Sequence, residues 1–501
     1  MKPSPMSTEE MRVLELNSQY LGVTLSMLMQ NAGREVARVI INSASVEGKR
    51  VSILCGLGGN GGDGMVAARY LQEAGASVEV FLVGSAERIA SSDTKENWNI
   101  LNNLETIPNI VLKTESAIKS CPALEESDIL VDGLLGFGLH SDLREPILTA
   151  VKQINASKAQ KYAIDIPTGI DSDTGEVHGD AVIADQTITL HAEKIGLAKA
   201  EEYVGKLHVV SIGIPLEASE ICGPGHVFLF TQSRNPSSHK GDYGRILVIG
   251  GSDVYSGAPS LTGLAALRTG ADLVSIAAPS PVASTIRGYS PNLMVTSIGT
   301  DVFAEESFDV IFPLVESNDV IAIGPGLGLD NKTQEAVLQF LNQIESSKRL
   351  VIDADGLKCL AKSDITFESE STILTPHWGE LGIMLGQKLD ASPSLDEKLK
   401  SARYAVELFK ATVLLKGHDD IIVSPNGQYR FNRTGVPAMT VGGTGDVLTG
   451  ICAALLARRS AFLSACAAAF ISGKSGELAH SKLGNHLMAT DCIEYIPDVM
   501  K

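Results

Sequence analysis

The sequence predicts an α/β protein built as two successive three-layer domains, each a mainly parallel sheet between helices. Three observations carry this. Short β-branched runs ending in glycine alternate with stretches of helical period, the mark of parallel βα repeats. The alternation pauses at residues 215–225, where Gly and Pro punctuate the chain without strong periodicity, and then restarts. The chain has 501 residues, against roughly 150 for an average domain, so each half should bury its own core. The domains are expected at 1–220 and 226–501.

In the first half the runs 51–55, 78–83, 129–131, 162–166, 187–190 and 207–212 read as strands, with 65–74 among the intervening helices. The second half repeats the pattern at 245–249, 273–277, 320–323, 350–352, 372–374 and 412–415, and ends in helices at 446–457 and 463–483.

Composition narrows the function. The chain carries 59 acidic and 41 basic residues, a net charge of -18, so it lacks the basic surface that tracks nucleic-acid phosphates. Aromatic residues are scarce at 5%, which disfavours a base-stacking platform. The apolar stretch 451–457 is broken by Arg458 and Arg459, well short of the roughly 20 residues that span a bilayer. Ser7, Thr8, Glu9 and Glu10 leave no apolar signal core at the start. Seven cysteines without a C-x-x-C pair argue for a reducing cytoplasm rather than a disulfide framework or a zinc site.

The first strand runs into Gly56-Leu57-Gly58-Gly59-Asn60-Gly61-Gly62-Asp63-Gly64. Gly56, Gly58 and Gly61 match G-x-G-x-x-G, in which missing Cβ atoms let a phosphate approach a helix N-terminus. An ordinary NAD oxidoreductase fits poorly, because the second strand ends at Gly84 and not at an acidic residue. Asn60 and Asp63 offer oxygens to a ligand or cation, or serve only as turn residues that tolerate left-handed backbone. Asp132 and Asp165 stand at two further strand ends. Ligands of open α/β sheets gather at the carboxyl ends of strands, so the three polar ends predict one crevice.

Asn60-Gly61-Gly62-Asp63-Gly64, Asp132 with Leu134-Leu135-Gly136-Phe137-Gly138-Leu139, and Asp165-Ile166-Pro167-Thr168-Gly169-Ile170-Asp171 together resemble the YjeF N-terminal domain, the NAD(P)H-hydrate epimerase, a Rossmann-like fold. The resemblance covers about 11–214 and implies a potassium ion held by Asn60, Asp132 and Thr168. It implies a nucleotide hydrate contacting Gly59, Asn60, Gly61, Gly62 and Asp63. Further contacts come from Gly136, Phe137, Gly138, Leu139, His140, Ser141 and Asp142, and from Asp165, the group that handles the proton at C6. Thr168 stands where the family usually has Ser, and Phe137 where Thr or Ser is common.

In the second half Gly250-Gly251-Ser252 follows the strand at 245–249, and Gly324-Pro325-Gly326-Leu327-Gly328 is either a ligand loop or a tight turn. The sharpest signal is Gly442-Gly443-Thr444-Gly445-Asp446 before an apolar helix. Small residues there expose successive N–H donors to a phosphoryl group, and an adjacent Asp can activate a hydroxyl. Gly473-Lys474-Ser475 is no Walker A loop, since Ala468 replaces the required glycine.

With Ser256-Gly257-Ala258-Pro259, Thr375-Pro376-His377-Trp378-Gly379-Glu380 and Leu415-Lys416-Gly417, this hole resembles the ribokinase-like ADP/ATP-dependent NAD(P)H-hydrate dehydratase, from about Val227 onward. The resemblance implies a hydrate site of Ala258, Gly326 or Gly328, His377 and Asp446. It implies adenine-nucleotide contacts at Lys416, Gly417, His418, Asp419, Asp420, Gly443, Thr444 and Gly445, with Mg²⁺ on the phosphates. Asp446 would take the hydroxyl proton, and loss of phosphate would restore the dihydronicotinamide. ADP, or ATP, is the expected co-substrate, and a homo-oligomer the expected assembly. The residues alone leave open a small-molecule kinase with an accessory nucleotide-binding half, and a non-catalytic binding module.

Overall fold

The computed structural model describes residues 4–139, 141–231, 233–361, 363–368 and 370–501. The chain divides into two compact units, Met1–Ala218 and Ser219–Lys501.

The first unit holds seven parallel strands: β1 (Arg50–Cys55), β2 (Ser77–Val83), β3 (Asn109–Leu112), β4 (Ile129–Gly133), β5 (Gln160–Ile164), β6 (Gln186–Leu190) and β7 (Lys206–Val210). Their order is β3-β2-β1-β4-β5-β6-β7. Successive residues of β1 feed opposite layers. Ile53 and Cys55 pack with Val36 and Ile40 of helix α2 (Leu25–Ser43), while Leu54 packs with Leu130, Ala150 and Ile154 on the other face. A parallel sheet covered on both sides explains why its central strands read as unbroken apolar runs. Each fully buried Val, Leu or Ile here contributes about 1.5–3 kcal/mol. The strand order reverses between β1 and β4, and the carboxyl ends on either side of that reversal frame a crevice.

Helix α3 (Gly59–Glu73) begins directly after β1. A Cβ on Gly56 would lie 1.8 Å from the Leu134 carbonyl oxygen, and one on Gly61 would lie 2.1 Å from the Gly56 oxygen. Two of the three glycines of the G-x-G-x-x-G match are therefore fixed by close backbone packing. Gly58 faces open space.

The second unit has nine strands: β8 (Arg245–Ile249), β9 (Leu273–Ala278), β10 (Met294–Ser297), β11 (Val320–Ile323), β12 (Arg349–Ile352), β13 (Thr372–Leu374), β14 (Thr412–Leu415), β15 (Asp420–Val423) and β16 (Tyr429–Asn432). They lie in the order β10-β9-β8-β11-β12-β13-β14-β15-β16. The parallel expectation holds through β14 and fails at β15 and β16, which are antiparallel. The connections 416–419 and 424–428 are far shorter than the dozen or so residues a parallel crossover needs. Both β3 and β10 also escape the sequence reading, because they are four-residue edge strands with only partial burial. Among the described residues no helix is long and apolar enough to cross a membrane.

Candidate active sites at the strand ends

In the first unit a cavity of about 420 Å³ opens at the carboxyl ends of β1, β4, β5 and β6. Of the residues singled out in the sequence, Gly59, Asn60, Asp63, Gly136, Phe137, Gly138, Leu139 and Asp165 line it. Gly61 and Gly62 are taken up in packing, the latter with its Cβ position 2.6 Å from Met29. Ser141 and Asp142 are exposed outside the cavity wall, and His140 lies outside the described residues.

Asp165 follows β5 with φ of +63°, a left-handed conformation that non-glycine residues rarely adopt. Such an outlier persists only where its surroundings hold it, as at functional sites. Its Oδ1 accepts hydrogen bonds from Lys194 Nζ at 2.5 Å, Leu190 N at 3.1 Å and Thr189 Oγ1 at 3.3 Å. Lys194 is fully buried and also donates to the Leu190 carbonyl at 2.8 Å. Oδ2 is thus the oxygen free of protein hydrogen bonds among the described residues.

Two more carboxyl groups face this pair. Burial pushes Asp63 well above the usual carboxylate range, with Asp165 and Glu15 adding to the rise and Lys194 opposing it. Burial likewise raises Glu15, against the pull of Arg12 at 3.1 Å. Three acids thus stand around one ammonium, and burial disfavours the charged form of two of them, Asp63 and Glu15.

Beneath the cavity Asp132 accepts from Thr168 N and Thr168 Oγ1, each at 2.8 Å, and from Leu134 N at 3.1 Å. Burial still lifts it to about 6. The Asn60 side chain is buried with neither its Oδ1 nor its Nδ2 hydrogen-bonded in the protein. Its Oδ1 lies 3.5 Å from the Cβ position of Gly136 in the loop after β4. An unsatisfied buried amide costs about 1–3 kcal/mol, so this oxygen set fits an oxygen-ligated cation.

In the second unit the helix Thr444–Leu456 starts at Gly443, φ +97°, with no side-chain cap. Its first-turn N–H groups have no intrahelical partners, which makes the start an anion hole. Asp446 stands inside that turn, and burial pushes it up to about 7, helped by Asp353 and opposed by Lys416. Thr262 Oγ1, on the helix Gly257–Thr269, lies 3.1 Å from both the Asp446 and Ala258 carbonyl oxygens. A Cβ on Gly326 would stand 3.2 Å from Ala258 Cβ. Ala258, Gly326 and Asp446 thus lie on elements packed against one another.

Lys416 Nζ lies 2.8 Å from Asp353 Oδ1 and 3.8 Å from Glu380 Oε2, and 3.5 Å from the Cβ position of Gly445. His377 caps the helix Trp378–Met384 through Nδ1 and keeps its side chain 59% exposed, with Nε2 3.6 Å from Glu380. The Asp420 carboxylate is occupied by Gly417 N and Asn432 Nδ2, both at 2.9 Å, so it shapes its own turn. His418 is exposed beside Asp419. The Thr444 hydroxyl turns back to the Met439 carbonyl, leaving backbone N–H groups as the donors of the hole.

Comparison with known proteins finds two family domains in succession, one in each unit. A family described as YjeF-related protein N-terminus matches residues 25–196, and one described as NAD(P)H-hydrate dehydratase matches 246–498. The bifunctional NAD(P)H-hydrate repair enzyme of Methanothermobacter thermautotrophicus is 42% identical, covering 99% of this chain and 95% of its own length. The chain belongs to the family of bifunctional NAD(P)H-hydrate repair enzymes. The repair enzyme of Pyrobaculum aerophilum is 41% identical over 98% of this chain and 97% of its own. Among solved structures, a hypothetical protein of Streptococcus mutans matches with a TM-score of 0.50 at 26% identity, over 56% of this chain and 98% of that one. The first unit thus carries the family's YjeF-related N-terminal domain and the second its NAD(P)H-hydrate dehydratase domain.

The sequence reading passed over Lys194 and Glu15 at the cavity of the first unit, and Asp353 and Asp355 after β12 in the second, while Glu380 entered it only as the end of the motif that follows β13. Lys194 and Asp353 both follow strand ends, β6 and β12. The rule that picked out Asp132 and Asp165 would have found Asp353 had it been applied to every strand, but not Lys194, which stands beyond His191, Ala192 and Glu193.

Proposed function

We propose that the first crevice interconverts the R and S hydrates of NAD(P)H and that the second dehydrates the S form, consuming ADP or ATP. The observation that carries the reading is the pairing, in one chain, of a buried Asp165–Lys194 couple at one cavity with Asp446 inside a helix-start anion hole at the other. In the first crevice Asp165 presents Oδ2 to the hydrate and exchanges the proton that inversion at C6 requires, while Lys194 keeps Oδ1 fixed. Gly59, Asn60, Asp63 and the loop 136–139 hold the nucleotide. Asn60, Asp132 and Thr168 would hold potassium, whose charge would balance Asp132 and take up the unpartnered Asn60 Oδ1.

In the second crevice Asp446 accepts the proton of the 6-hydroxyl as its oxygen attacks the terminal phosphorus of the nucleotide. The Gly443, Thr444 and Gly445 amides receive the transferred phosphoryl. The nucleotide leaves one phosphate shorter. The C6–O bond then breaks with its electron pair leaving on phosphate, the C5 proton passes to the departing phosphate, and the C5–H pair forms C5=C6. Mg²⁺ would neutralise the nucleotide phosphates. Incubating the protein with mixed R and S hydrates, with and without ADP or ATP, while following reduced-nicotinamide absorbance tests the reading. Full recovery of both epimers with nucleotide supports it. A stable phosphorylated product that never yields reduced nicotinamide would instead make the protein a small-molecule kinase.

A further inference from the structure

The end of β12 reaches both parts of the second crevice. Asp353 is buried, and its Oδ1 accepts from Lys416 Nζ at 2.8 Å while its Oδ2 accepts from Thr449 Oγ1 at 2.6 Å. Burial alone would raise it, yet the Lys416 ammonium with the bonds from Lys416 and Thr449 holds it below the usual carboxylate range. Ala354 follows with φ of +49°, a left-handed conformation that alanine rarely takes. A Cβ on Gly324 would lie 1.9 Å from the Asp353 carbonyl oxygen, so the loop after β11 is pressed against this strand end. That turn brings Asp355 around to accept from Gly328 N at 2.9 Å and from Lys358 Nζ at 2.8 Å.

We propose that Asp353 is a positioning residue of the dehydratase crevice: it holds the Lys416 ammonium beside Gly445, where Lys416 meets the phosphoryl group in transfer, while Asp355 fixes the 326–328 loop that takes the hydrate. The inference rests on the dehydratase reading above and adds that one strained strand end sets the distance between the two substrates. A free lysine at this place would sample many rotamers. One clamped by a buried carboxylate is pre-organised for the transition state, where charge on the phosphoryl oxygens is greatest.

The arrangement also carries an electrostatic signature. The charged groups facing Asp446 are Asp353 and Asp355 from the end of β12, Lys416 from the end of β14, and Glu380 beyond Lys416. Asp353 contributes to the rise of Asp446 and Lys416 opposes it. Replacing Asp353 by a neutral amide removes the first and frees the second, so the acid limb of dehydration should move to lower pH.

The test compares wild-type protein and Asp353→Asn in steady-state dehydration of S hydrate with ADP and with ATP, across about pH 5.5–9, with thermal unfolding as the check of folding. The expected result is a kcat lower by roughly 10²-fold, nucleotide KM changed less than about threefold, and an acid limb displaced to lower pH. A purely structural role would not displace the limb. Thr449→Val, which removes one donor and keeps the charge, should lower kcat less and leave the limb in place. A folded Asp353→Asn with wild-type kcat and profile overturns the proposal, and if that variant does not fold, wild-type kcat in Thr449→Val overturns it. Wild-type protein unable to dehydrate S hydrate with either nucleotide would remove the dehydratase reading itself, a distinguishable failure.

Discussion

The ammonium of Lys194 lies 2.5 Å from Oδ1 of Asp165, and the two side chains are 0% and 3% exposed. Removing one member of such a buried pair strands the other charge, at a cost of about 3–5 kcal/mol. Lys194→Met should therefore destabilise the first unit by that order and abolish epimerisation. The double variant Lys194→Met/Asp165→Asn should regain much of the stability and none of the activity. Denaturant titration with an R-hydrate assay checks both, and a double variant no more stable than the single one would show that the pair is not the source of the loss.

On the proposed general-base role, Asp446 sets the pH dependence of dehydration. A general base works unprotonated, so with its pKa pushed up to about 7 by burial and Asp353, kcat for dehydration should climb through about pH 7 and level off above it. The stability effect has the opposite sign. A carboxyl raised from about 3.9 in the unfolded chain contributes stability that is present at low pH and lost as pH rises through about 7. Asp446→Asn should accordingly stabilise the second unit at about pH 8 more than at about pH 5, while cutting dehydration by roughly 10²- to 10⁴-fold and sparing epimerisation. Unfolding temperatures at the two pH values, with both activities, decide it.

Asp132→Ala should slow epimerisation and remove its dependence on potassium. The substitution deletes the only anionic member of the Asn60, Asp132 and Thr168 set and strands three hydrogen-bond donors. Rates in potassium against rates in a bulky organic cation give the readout. Equal potassium stimulation in variant and wild type would detach these residues from the cation.

Glycine spacing in the first loop yields a contrast. Gly61→Ala would drive a Cβ to 2.1 Å from the Gly56 oxygen, whereas Gly58→Ala meets nothing within 4 Å. The first should destabilise the unit by well over 1 kcal/mol, and the second should stay within about 0.5 kcal/mol. Thermal unfolding of the two variants measures the difference, and similar unfolding temperatures would contradict the packing account of the motif.

Much of the architecture was legible because parallel strands buried on both faces leave continuous apolar runs, as in β1, β8 and β11. The antiparallel edge was not, since β15 and β16 are short and their turn chemistry, Asn426-Gly427 with φ +88°, competes weakly with the surrounding βα pattern. The places of Asp165, Asp132 and Asp446 were legible because each stands at a strand or helix end with glycine close by. Of their partners, Asp353 directly follows β12 and is within reach of the same strand-end rule, whereas Lys194 lies beyond the end of β6 and is recognised by its burial and the carboxylate it faces, which a linear sequence does not show. Glu15 comes from helix α1 (Thr8–Tyr20), far in sequence from any strand end.

The central claim is that one chain runs two separate chemistries at two sites. Its most direct measurement is complementation: pure R hydrate with ADP or ATP is given to Asp165→Asn alone, to Asp446→Asn alone, and to the two variants mixed. The account predicts slow or no return of reduced nicotinamide with either variant and rapid return with the mixture, because one supplies S hydrate and the other dehydrates it. A mixture no faster than the better single variant would contradict it.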